Sequence, residues 1–585
     1  MGLPPGADYL LRLFPRLAIP SGIAYVSLKL LQQRQGLEIP QWLIIVIAVL
    51  ARPALFIFGL FYSRWKDERA AAAHGAVIPP RVQQSPSSIM ADLIDGIRSG
   101  YPANFFWRWS NAYGNVYRIE FLGTSFLYTA EPDHVKAILA TEFDSFEKGS
   151  VFYKQMYSLL GTGVFNSDGA MWKFHRAITR PFFTRERISD FEIYDRNCDL
   201  SLKEAKKRLS EGYPIDFQDL VARFTLDSAA EFLFGGNVGS LSAGIPYPPP
   251  DAAKNPPSFY NHPSTAFVDA FMQGLVLSAL RTAWGPEWGL AEFTKDRVAP
   301  LRKVMDKFTE PLMKAALDHR EKELAGEIKI TDNEETLLAH LVKQTQDPTI
   351  LKDELINLLV AGRDTTMALL SFSLYMLAEH PDIETRLRQE VFEKVGTTDS
   401  PNHDQMRDMK FMRAFLNEVL RLYPPVPVDA RTASNPVVLF VKNSPEKPIY
   451  VAKNTDCFYA VINMHRRTDL WGPDALEFDP DRFLDERLHK YLTPNPFIFC
   501  PFNAGPRICL GQQFAYHEAT FFLVRLLQQF TGFTLDKSVN IPPPAEWASS
   551  GDFRAREKVY PLSHLTMYIK GGLWVRMKEL KSSDM

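Results

Sequence analysis

One cysteine in this chain stands directly before a long helix pattern. The stretch FNAGPRICLGQQFAYHEATFFLVRLLQQF fits F-x-x-G-x-R-x-C-x-G, with fixed positions Phe502, Gly505, Arg507, Cys509 and Gly511. The start of a helix stabilises a thiolate through its free N–H groups and its dipole. Gly505 permits a tight turn, Gly511 lets backbone N–H groups approach the sulfur, and Phe502 can shield it from water. The pattern predicts that the Cys509 sulfur binds a metal.

Two alternatives to this interpretation stay open. Cys509 could be a structural cysteine at a helix N-terminus, and Cys500, nine residues upstream, could be a rival ligand, although a small buried hydrophobic residue fits it better. The chain has four cysteines in 585 residues, too few for a disulfide framework. This usage indicates a reducing compartment in which a single cysteine serves as a ligand or a nucleophile.

A second pattern, NEVLRLYPPVPVDAR, places Glu418 and Arg421 three residues apart on one helix face. At the surface such a pair contributes only about 0.2–0.5 kcal/mol. The neighbours here are apolar, so the pair is predicted to be buried and to need further partners. The later stretch FDPDRF supplies Arg482.

A third pattern, LLVAGRDTTMALLSF, puts Gly362 in the middle of an apolar helix, where it costs about 1 kcal/mol relative to Ala. Asp364 and Thr365 follow, and a carboxylate beside a hydroxyl is a suitable proton path. The alternative is a helix that merely tolerates these polar residues. A fourth pattern, DGAMWKFHRAITR, places Trp172 and Arg176 four residues apart, so that both side chains point the same way.

Taken in chain order, these motifs resemble the cytochrome P-450 family over residues 81–585, and most closely the fungal membrane-bound hydroxylases of n-alkanes and fatty acids. The resemblance implies a mainly α fold with small β-sheets. It also implies heme b, bound between a long distal helix and the proximal helix after the cysteine loop. Two features depart from this family pattern: Asp429 stands where such relatives commonly carry Asn, and the proline-rich loop at residues 242–264 is long.

The resemblance assigns roles to residues. Cys509 would be the axial thiolate of the heme iron, with Phe502 and Gly511 shaping its loop. Around the heme propionates it implies Arg507, Trp172, Arg176 and Arg431. On the distal side, Ala361 and Gly362 would open a groove for O₂, Thr365 would hydrogen-bond oxygen, and Asp364 would relay protons. Glu418, Arg421 and Arg482 would form a Glu-Arg-Arg network with a structural role and no part in the chemistry.

The N-terminal stretch WLIIVIAVLARPALFIFGLFY, residues 42–62, is apolar except for Arg52 and is long enough to cross a bilayer core of about 30 Å. An earlier apolar stretch at 17–28 is too short to span and is expected in the interface. Charged residues and a Pro79-Pro80 hinge follow. We therefore expect residues 1–80 to form a membrane anchor and hinge, and 81–585 the catalytic domain. The alternative is that both stretches are core helices of a soluble domain.

The function predicted from these features is a heme-thiolate monooxygenase that inserts one atom of O₂ into a lipophilic substrate. No G-x-G-x-x-G fingerprint follows a strand, so electrons are expected from a separate NADPH-dependent reductase. Lys173 and Arg180 could help to dock that acidic partner, or could simply belong to a solvated helix face. The predicted location is the endoplasmic reticulum membrane, with the catalytic domain facing the cytosol. A net charge of −2 gives no indication of a nucleic-acid partner.

Three other classes of function stay open. A heme-thiolate isomerase or dehydratase acts on peroxides without O₂ and needs no proton relay, so the pair Asp364-Thr365 argues against it. A non-enzymatic heme sensor or carrier needs no distal groove. A hydrolase that uses Cys509 as its nucleophile would contain no heme.

Overall fold

The computed structural model describes residues 3–36, 38–121, 124–184, 191–326 and 336–580. Within these ranges the protein is mainly α-helical, as expected. The helices are α1 (Pro5–Gln35), α2 (Gln41–Ala73), α3 (Pro86–Arg98), α4 (Asn104–Tyr113), α5 (Pro132–Lys136), α6 (Ser150–Leu160), α7 (Gly169–Thr179), α8 (Glu192–Ser210), α9 (Phe217–Phe234), α10 (Pro257–Asn261), α11 (Pro263–Ala283), α12 (Ala299–Leu324), α13 (Leu337–Gln344), α14 (Pro348–Glu379), α15 (Pro381–Lys394), α16 (His403–Asp408), α17 (Lys410–Leu422), α18 (Val461–Met464), α19 (Thr468–Trp471) and α20 (Gln512–Gln529).

The strands form small sheets beside the helices. They are β1 (Val116–Phe121), β2 (Thr124–Thr129), β3 (Phe146–Glu147), β4 (Ile215–Asp216), β5 (Asp429–Ala433), β6 (Val437–Leu439), β7 (Ile449–Val451), β8 (Asp456–Tyr459), β9 (Phe530–Leu535), β10 (Pro561–Ser563), β11 (Met567–Ile569) and β12 (Trp574–Glu579). The largest sheet has the order β1-β2-β8-β5-β3, and β5 runs antiparallel to β8 with Arg431 opposite Cys457. This sheet carries Arg431 to one side of the helical body.

Helix α14 is the centre of that body. It packs against α9, α12, α17 and α20, and most of its side chains are buried. Pro348 starts it at the first helical position, and the Asp347 side chain caps it by accepting a hydrogen bond from the Thr349 N–H at 2.8 Å. The helix predicted to carry Thr365 is therefore long, buried and capped.

Helices α1 and α2 pack together as an N-terminal hairpin. Among the described residues, α2 and α14 are long and apolar enough to cross a bilayer, but α14 belongs to the core. The apolar side chains of α2, such as Trp42, Phe58 and Phe61, are exposed. This pattern suits a helix whose surroundings are lipid. The apolar stretch at 17–28 is part of the longer helix α1.

The first turn of α1 also contacts the body. A Cβ on Gly6 would lie 2.5 Å from the Phe293 Cα and 2.8 Å from the Gly289 carbonyl oxygen. A Cβ on Gly289 would lie 2.8 Å from the Pro5 carbonyl oxygen. Two glycines thus allow α1 to approach the segment Gly285–Glu292, which joins α11 to α12. The N-terminal segment is therefore in contact with helices that belong to the body.

The proline-rich stretch at 242–264 was expected to be a loop without helix, and this expectation is wrong in part. It contains a 3₁₀ segment at Pro249–Lys254 and the helix α10, and α11 begins within it. Proline is tolerated at the first helical position because its missing N–H would have no intrahelical partner there. Pro257 and Pro263 occupy that position in α10 and α11.

Candidate functional site

The cysteine loop closes on itself before α20 begins. Its residues Gly505–Arg507 form a 3₁₀ turn, and the Cys509 N–H donates to the Phe502 carbonyl at 3.0 Å. Gly505 has φ +65°, and a Cβ there would lie 2.0 Å from the Leu139 carbonyl oxygen. Only glycine fits this close approach. The Phe502 ring packs against Tyr516 of α20, with ring centroids 5.3 Å apart.

The Cys509 side chain has exposed surface, yet burial raises the pKa of its thiol. The thiol thus keeps accessible surface although many protein atoms surround it. The Gly511 backbone N–H and the positive charge of Arg176 act in the opposite direction and lower this pKa. Gly511 therefore supplies the backbone contact to sulfur that the sequence predicted, and the site favours a thiolate once a cation is bound to it.

The other three cysteines, which also lie in the described residues, are buried. Burial raises the pKa of the Cys500 thiol to about 12, and its Sγ lies 3.3 Å from the Phe497 carbonyl oxygen, to which it donates. A buried thiol of this kind is inert as a ligand. Cys500 is thus a small buried core residue, as expected from the sequence.

Helix α7 brings its predicted residues to the cysteine loop. The Arg507 guanidinium carbon lies 4.5 Å from the centre of the Trp172 ring. The same guanidinium donates to the Ser167 carbonyl at 3.1 Å and to Asp168 Oδ1 at 2.5 Å. Arg176 lies one helical turn after Trp172 on α7 and is half-buried. It is close enough to Cys509 that a Cys509 thiolate would raise the pKa of the Arg176 guanidinium. Asp168, which the sequence did not single out, fastens the cysteine loop to the start of α7.

Arg431 approaches the same region from strand β5. It is buried, and its Nη1 lies 2.9 Å from Asp429 Oδ2. Burial lowers the pKa of Arg507, Asp168 raises it, and Arg431 lowers it further, so the two arginines lie close together. The structure therefore brings the four residues predicted near the propionates, Trp172, Arg176, Arg431 and Arg507, to one region beside the cysteine loop.

The predicted distal residues lie in the middle of α14. Ala361, Gly362 and Thr365 are half-buried, although most of their neighbours on this helix are buried. The Thr365 hydroxyl donates to the Ala361 carbonyl at 2.7 Å. A Cβ on Gly362 would lie 2.9 Å from the Ala229 Cβ on α9. Close packing of α14 on α9 therefore accounts for this glycine, whereas the sequence explained it only by a groove.

Asp364 is fully buried and forms an ion pair with its neighbour Arg363. Burial raises the pKa of Asp364, while Arg363 and the Thr566 hydroxyl act to lower it. Burial holds the pKa of this carboxyl above its usual value in spite of these two partners. Asp364 and Thr365 both bond within α14, Asp364 to Arg363 and Thr365 to Ala361, but Asp364 is buried and Thr365 is half-buried.

The predicted Glu-Arg-Arg network is confirmed. Glu418 accepts from Arg421 Nε at 2.7 Å and Nη2 at 2.8 Å, and Arg482 Nε lies 3.6 Å from Glu418 Oε1. Arg421 also donates to the carbonyls of His465 at 2.8 Å and Ala475 at 2.5 Å. All three charged residues are buried, so these partners replace water.

His465 connects this network to the cysteine loop, and sequence reasoning missed it. Its Nδ1 lies 3.2 Å from the Arg421 carbonyl oxygen, and its Nε2 accepts from the Cys500 N–H at 3.0 Å. Burial, and then the charge of Arg421, lowers the pKa of His465 to about 3. The ring is therefore neutral, with Nδ1–H as donor and Nε2 as acceptor. No sequence spacing relates His465 to either partner.

The Cys509 thiol is accessible just before α20, and Arg176, Arg431 and Arg507 lie near its loop in a mainly helical body. This arrangement is typical of a heme-thiolate protein. The family model for Cytochrome P450 matches residues 80–555, and the chain belongs to this family. Cytochrome P450 52A13 of Debaryomyces hansenii is 36% identical over 438 residues, which are 73% of this chain and 79% of that protein. Cytochrome P450 52A5 of Candida maltosa is 35% identical over 77% of this chain and 80% of its own length. Cytochrome P450 monooxygenase himC of Aspergillus japonicus is 36% identical over 74% and 73%.

Family membership confirms the expected cofactor, heme b held by a cysteine, and the monooxygenase class. The charges of the site fit this cofactor. Four cations (Lys148, Arg176, Arg431 and Arg507) and two carboxylates (Asp168 and Asp429) surround the cysteine loop or lie beside it. Their sum is +2, which matches the two negative charges of a pair of propionates.

Proposed function

We propose that this cytochrome P450 monooxygenase hydroxylates a long aliphatic substrate, an alkane or a fatty acid, with electrons from a separate NADPH-dependent reductase. The membership of the family supports a hydrophobic substrate and a redox partner. The observation that carries the proposal is the exposed Cys509 thiol near Arg176 of α7, together with the similarity of the chain to Cytochrome P450 52A13. Among the described residues of the site, no contact favours the alternative function of a heme-thiolate isomerase or dehydratase.

The aliphatic substrate class is supported by the surroundings of α14. The half of α14 before Thr365 packs in an apolar cluster with side chains from α6 and α11, including Met156, Leu159, Phe271 and Leu275. Helices α6 and α11 approach closely, since a Cβ on Gly274 would lie 2.8 Å from Leu159 Cδ1. These side chains are buried, so this half of α14 has apolar surroundings, which favour a lipophilic ligand.

When bound, heme b supplies the oxygen-activating iron. The chain's own residues then have four tasks. Cys509 would provide the sulfur ligand, and Trp172, Arg176, Arg431 and Arg507 would bind the propionates. The apolar helices would exclude water. The Thr365 hydroxyl, which donates to the Ala361 carbonyl, and the neighbouring Asp364 carboxyl, whose pKa burial raises, would deliver protons.

Thr365→Ala is expected to leave the heme spectrum and substrate binding unchanged, because the hydroxyl bonds only to its own helix. Product formed per NADPH should fall at least about tenfold, since positioned proton donors contribute roughly 10²–10⁴-fold. The consumed electrons should appear as peroxide. Ser371→Ala is the matched control, because Ser371 also donates to the carbonyl four residues earlier on α14. Unchanged product per NADPH in Thr365→Ala would remove Thr365 from the proton path.

The reductase is proposed to dock beside α7. Lys173 and Arg180 are exposed on or next to this helix, which also carries Trp172 and Arg176, and Arg180 follows Arg176 by four residues. An acidic partner would thus approach close to the cysteine loop. Lys173→Glu combined with Arg180→Glu is expected to raise the KM for the reductase several-fold at low salt. The same change should have little effect at high salt, where surface charges are screened.

The protein is associated with membranes, and we place it in the endoplasmic reticulum with residues 81–585 facing the cytosol. Deletion of residues 1–79 removes α1 and α2 and should release the protein from membranes while the heme-thiolate spectrum persists. The full chain is the control, and sedimentation with membranes is the measurement. If the truncated protein still sediments, a second surface binds lipid. Protease protection in microsomes tests the orientation.

A further inference from the structure

A recess of about 820 Å³ lies where helix α2 meets the body. The last turns of α2 form one of its walls, and the linker at residues 76–84 forms another together with strand β1. Three arginines line it, one from each of these segments: Arg64 from α2, Arg81 from the linker and Arg118 from β1. None of the described residues that line this recess belongs to the site around Cys509.

The wall formed by the linker is held by backbone hydrogen bonds. The Arg118 N–H donates to the Pro80 carbonyl at 2.9 Å, and the Val82 N–H donates to the Arg118 carbonyl at 3.0 Å. Nearer to α2, the Val77 N–H donates to the Pro448 carbonyl at 2.8 Å. The backbone that carries the two arginines of the linker and β1 is therefore fixed.

The recess has more positive than negative charge. Glu120 is shared by two arginines, since its carboxylate oxygens lie 2.9 Å from Arg81 Nη1 and 2.9 Å from Arg118 Nη1. Arg64 Nε lies 3.0 Å from Glu68 Oε1. Three positive and two negative charges leave one positive charge. Burial lowers the pKa of Arg118, the two carboxylates raise it, and the other two arginines lower it again, so the three cations are close enough to repel one another.

Arg118 is the most enclosed of the three arginines. Its side chain is 16% exposed, whereas those of Arg64 and Arg81 are at least half exposed. Its Nε is buried and has no hydrogen-bond partner among the described residues. A guanidinium presents its donors in a planar fork that matches the oxygens of a phosphate group. A cation that is withdrawn from water and incompletely paired favours an added anion at this position.

The recess begins at the depth of lipid headgroups. The apolar stretch of α2 ends at Tyr62, and the exposed rings of Tyr62 and Trp65 lie 5.9 Å apart, as suits aromatic residues at a membrane–water interface. Arg64 and Glu68 follow, about 3 Å and 9 Å further along the helix at ~1.5 Å per residue. The headgroup layer on each side of a bilayer is roughly 5–8 Å thick. The arginines therefore lie at the level of lipid phosphates.

We propose that this recess binds the phosphate group of an anionic membrane phospholipid, with Arg64, Arg81 and Arg118 as its ligands. A headgroup with one negative charge matches the one excess positive charge of the recess, and Lys66 and Asp67, the neighbours on α2, cancel each other. Free phosphate offers the same oxygens, but the position at the end of a lipid-facing helix favours a lipid. The inference goes beyond the proposed reaction and does not depend on the heme placement.

The experiment titrates full-length holoprotein in a neutral detergent with three probes, followed by calorimetry. Dihexanoyl phosphatidylglycerol is the anionic lipid, dihexanoyl phosphatidylcholine the zwitterionic lipid and inorganic phosphate the free anion. We expect one saturable site for phosphatidylglycerol and binding of the other two that is at least about tenfold weaker. Arg118→Gln and Arg64→Gln should each weaken the binding of phosphatidylglycerol about tenfold, because each removes charge-assisted hydrogen bonds to phosphate. Arg64 is exposed, so its variant tests the site even if Arg118→Gln fails to fold.

The matched control is Arg69→Gln. Arg69 is an exposed arginine at the same end of α2, with its guanidinium carbon 4.8 Å from the centre of the Trp65 ring, and lies outside the lining of the recess. Its loss removes the same charge and should change the affinity by less than about twofold. The proposal is overturned if Arg69→Gln weakens binding as much as the recess variants do, or if the folded recess variants bind like the wild type. Equal binding of phosphatidylcholine or inorganic phosphate would overturn the assignment to an anionic lipid.

Discussion

Cys509→Ala abolishes the thiolate-type absorption of the bound heme and reduces hydroxylation to background, if Cys509 is the sulfur ligand. Its thiol is the one cysteine sulfur with an exposed side chain among the four, all of which lie in the described residues. The Gly511 N–H and Arg176 both favour its ionised form. The other thiol described in this loop, Cys500, is buried, so loss of Cys509 should remove the electron donation of a thiolate. Absorption spectra of the ferric and the reduced, CO-bound protein are the measurements.

The matched control is Cys500→Ala in the same loop. Cys500 is buried and its thiol donates to a backbone carbonyl, so its loss should keep the spectrum and lower stability slightly. If the thiolate band survives in Cys509→Ala and disappears in Cys500→Ala, the ligand assignment moves to Cys500.

Glu418→Ala should destabilise the protein by about 3–5 kcal/mol, the range for removing one partner of a buried ion pair. The change leaves Arg421 and Arg482 buried without their carboxylate, and removes the acceptor of the Asp479 N–H at 2.9 Å. Since Arg421 is connected through His465 to Cys500, we also expect faster loss of the thiolate spectrum on heating. Urea unfolding, monitored by circular dichroism, measures the effect.

A suitable control for this prediction is Glu393→Ala. Glu393 is also a helical glutamate paired with a cation, Lys394, but both are exposed, so little change is expected. If Glu418→Ala unfolds at nearly the same urea concentration as the wild type, the network is not the structural element proposed here.

The sequence could predict those features that depend on local spacing. The cysteine loop, the i, i+3 pair Glu418–Arg421 and the i, i+4 pair Trp172–Arg176 are each defined within a few residues. A helix has a fixed period, so their relative directions follow from the spacing alone. The mainly α class with small β-sheets followed from the family resemblance that these motifs carry, and the structure has it.

Features that depend on tertiary contacts could not be predicted. Lys148 meets Asp429 across 281 positions of sequence, and His465 meets Cys500 across 35. Neither separation has a periodicity that a pattern could show. Gly362 was recognised as unusual, but its reason lies on α9, where Ala229 leaves no room for a side chain. The contact between Gly6 and Gly289 likewise depends on how the N-terminal hairpin packs on the body.

The absorption spectrum of the purified, reduced protein after addition of carbon monoxide tests the central claim most directly. We expect the red-shifted Soret band of a sulfur-ligated ferrous complex, in an amount that matches the heme content of folded protein. A band at the shorter wavelength typical of nitrogen ligation, or no heme in well-folded material, would contradict the assignment of Cys509 and the chemistry that depends on it.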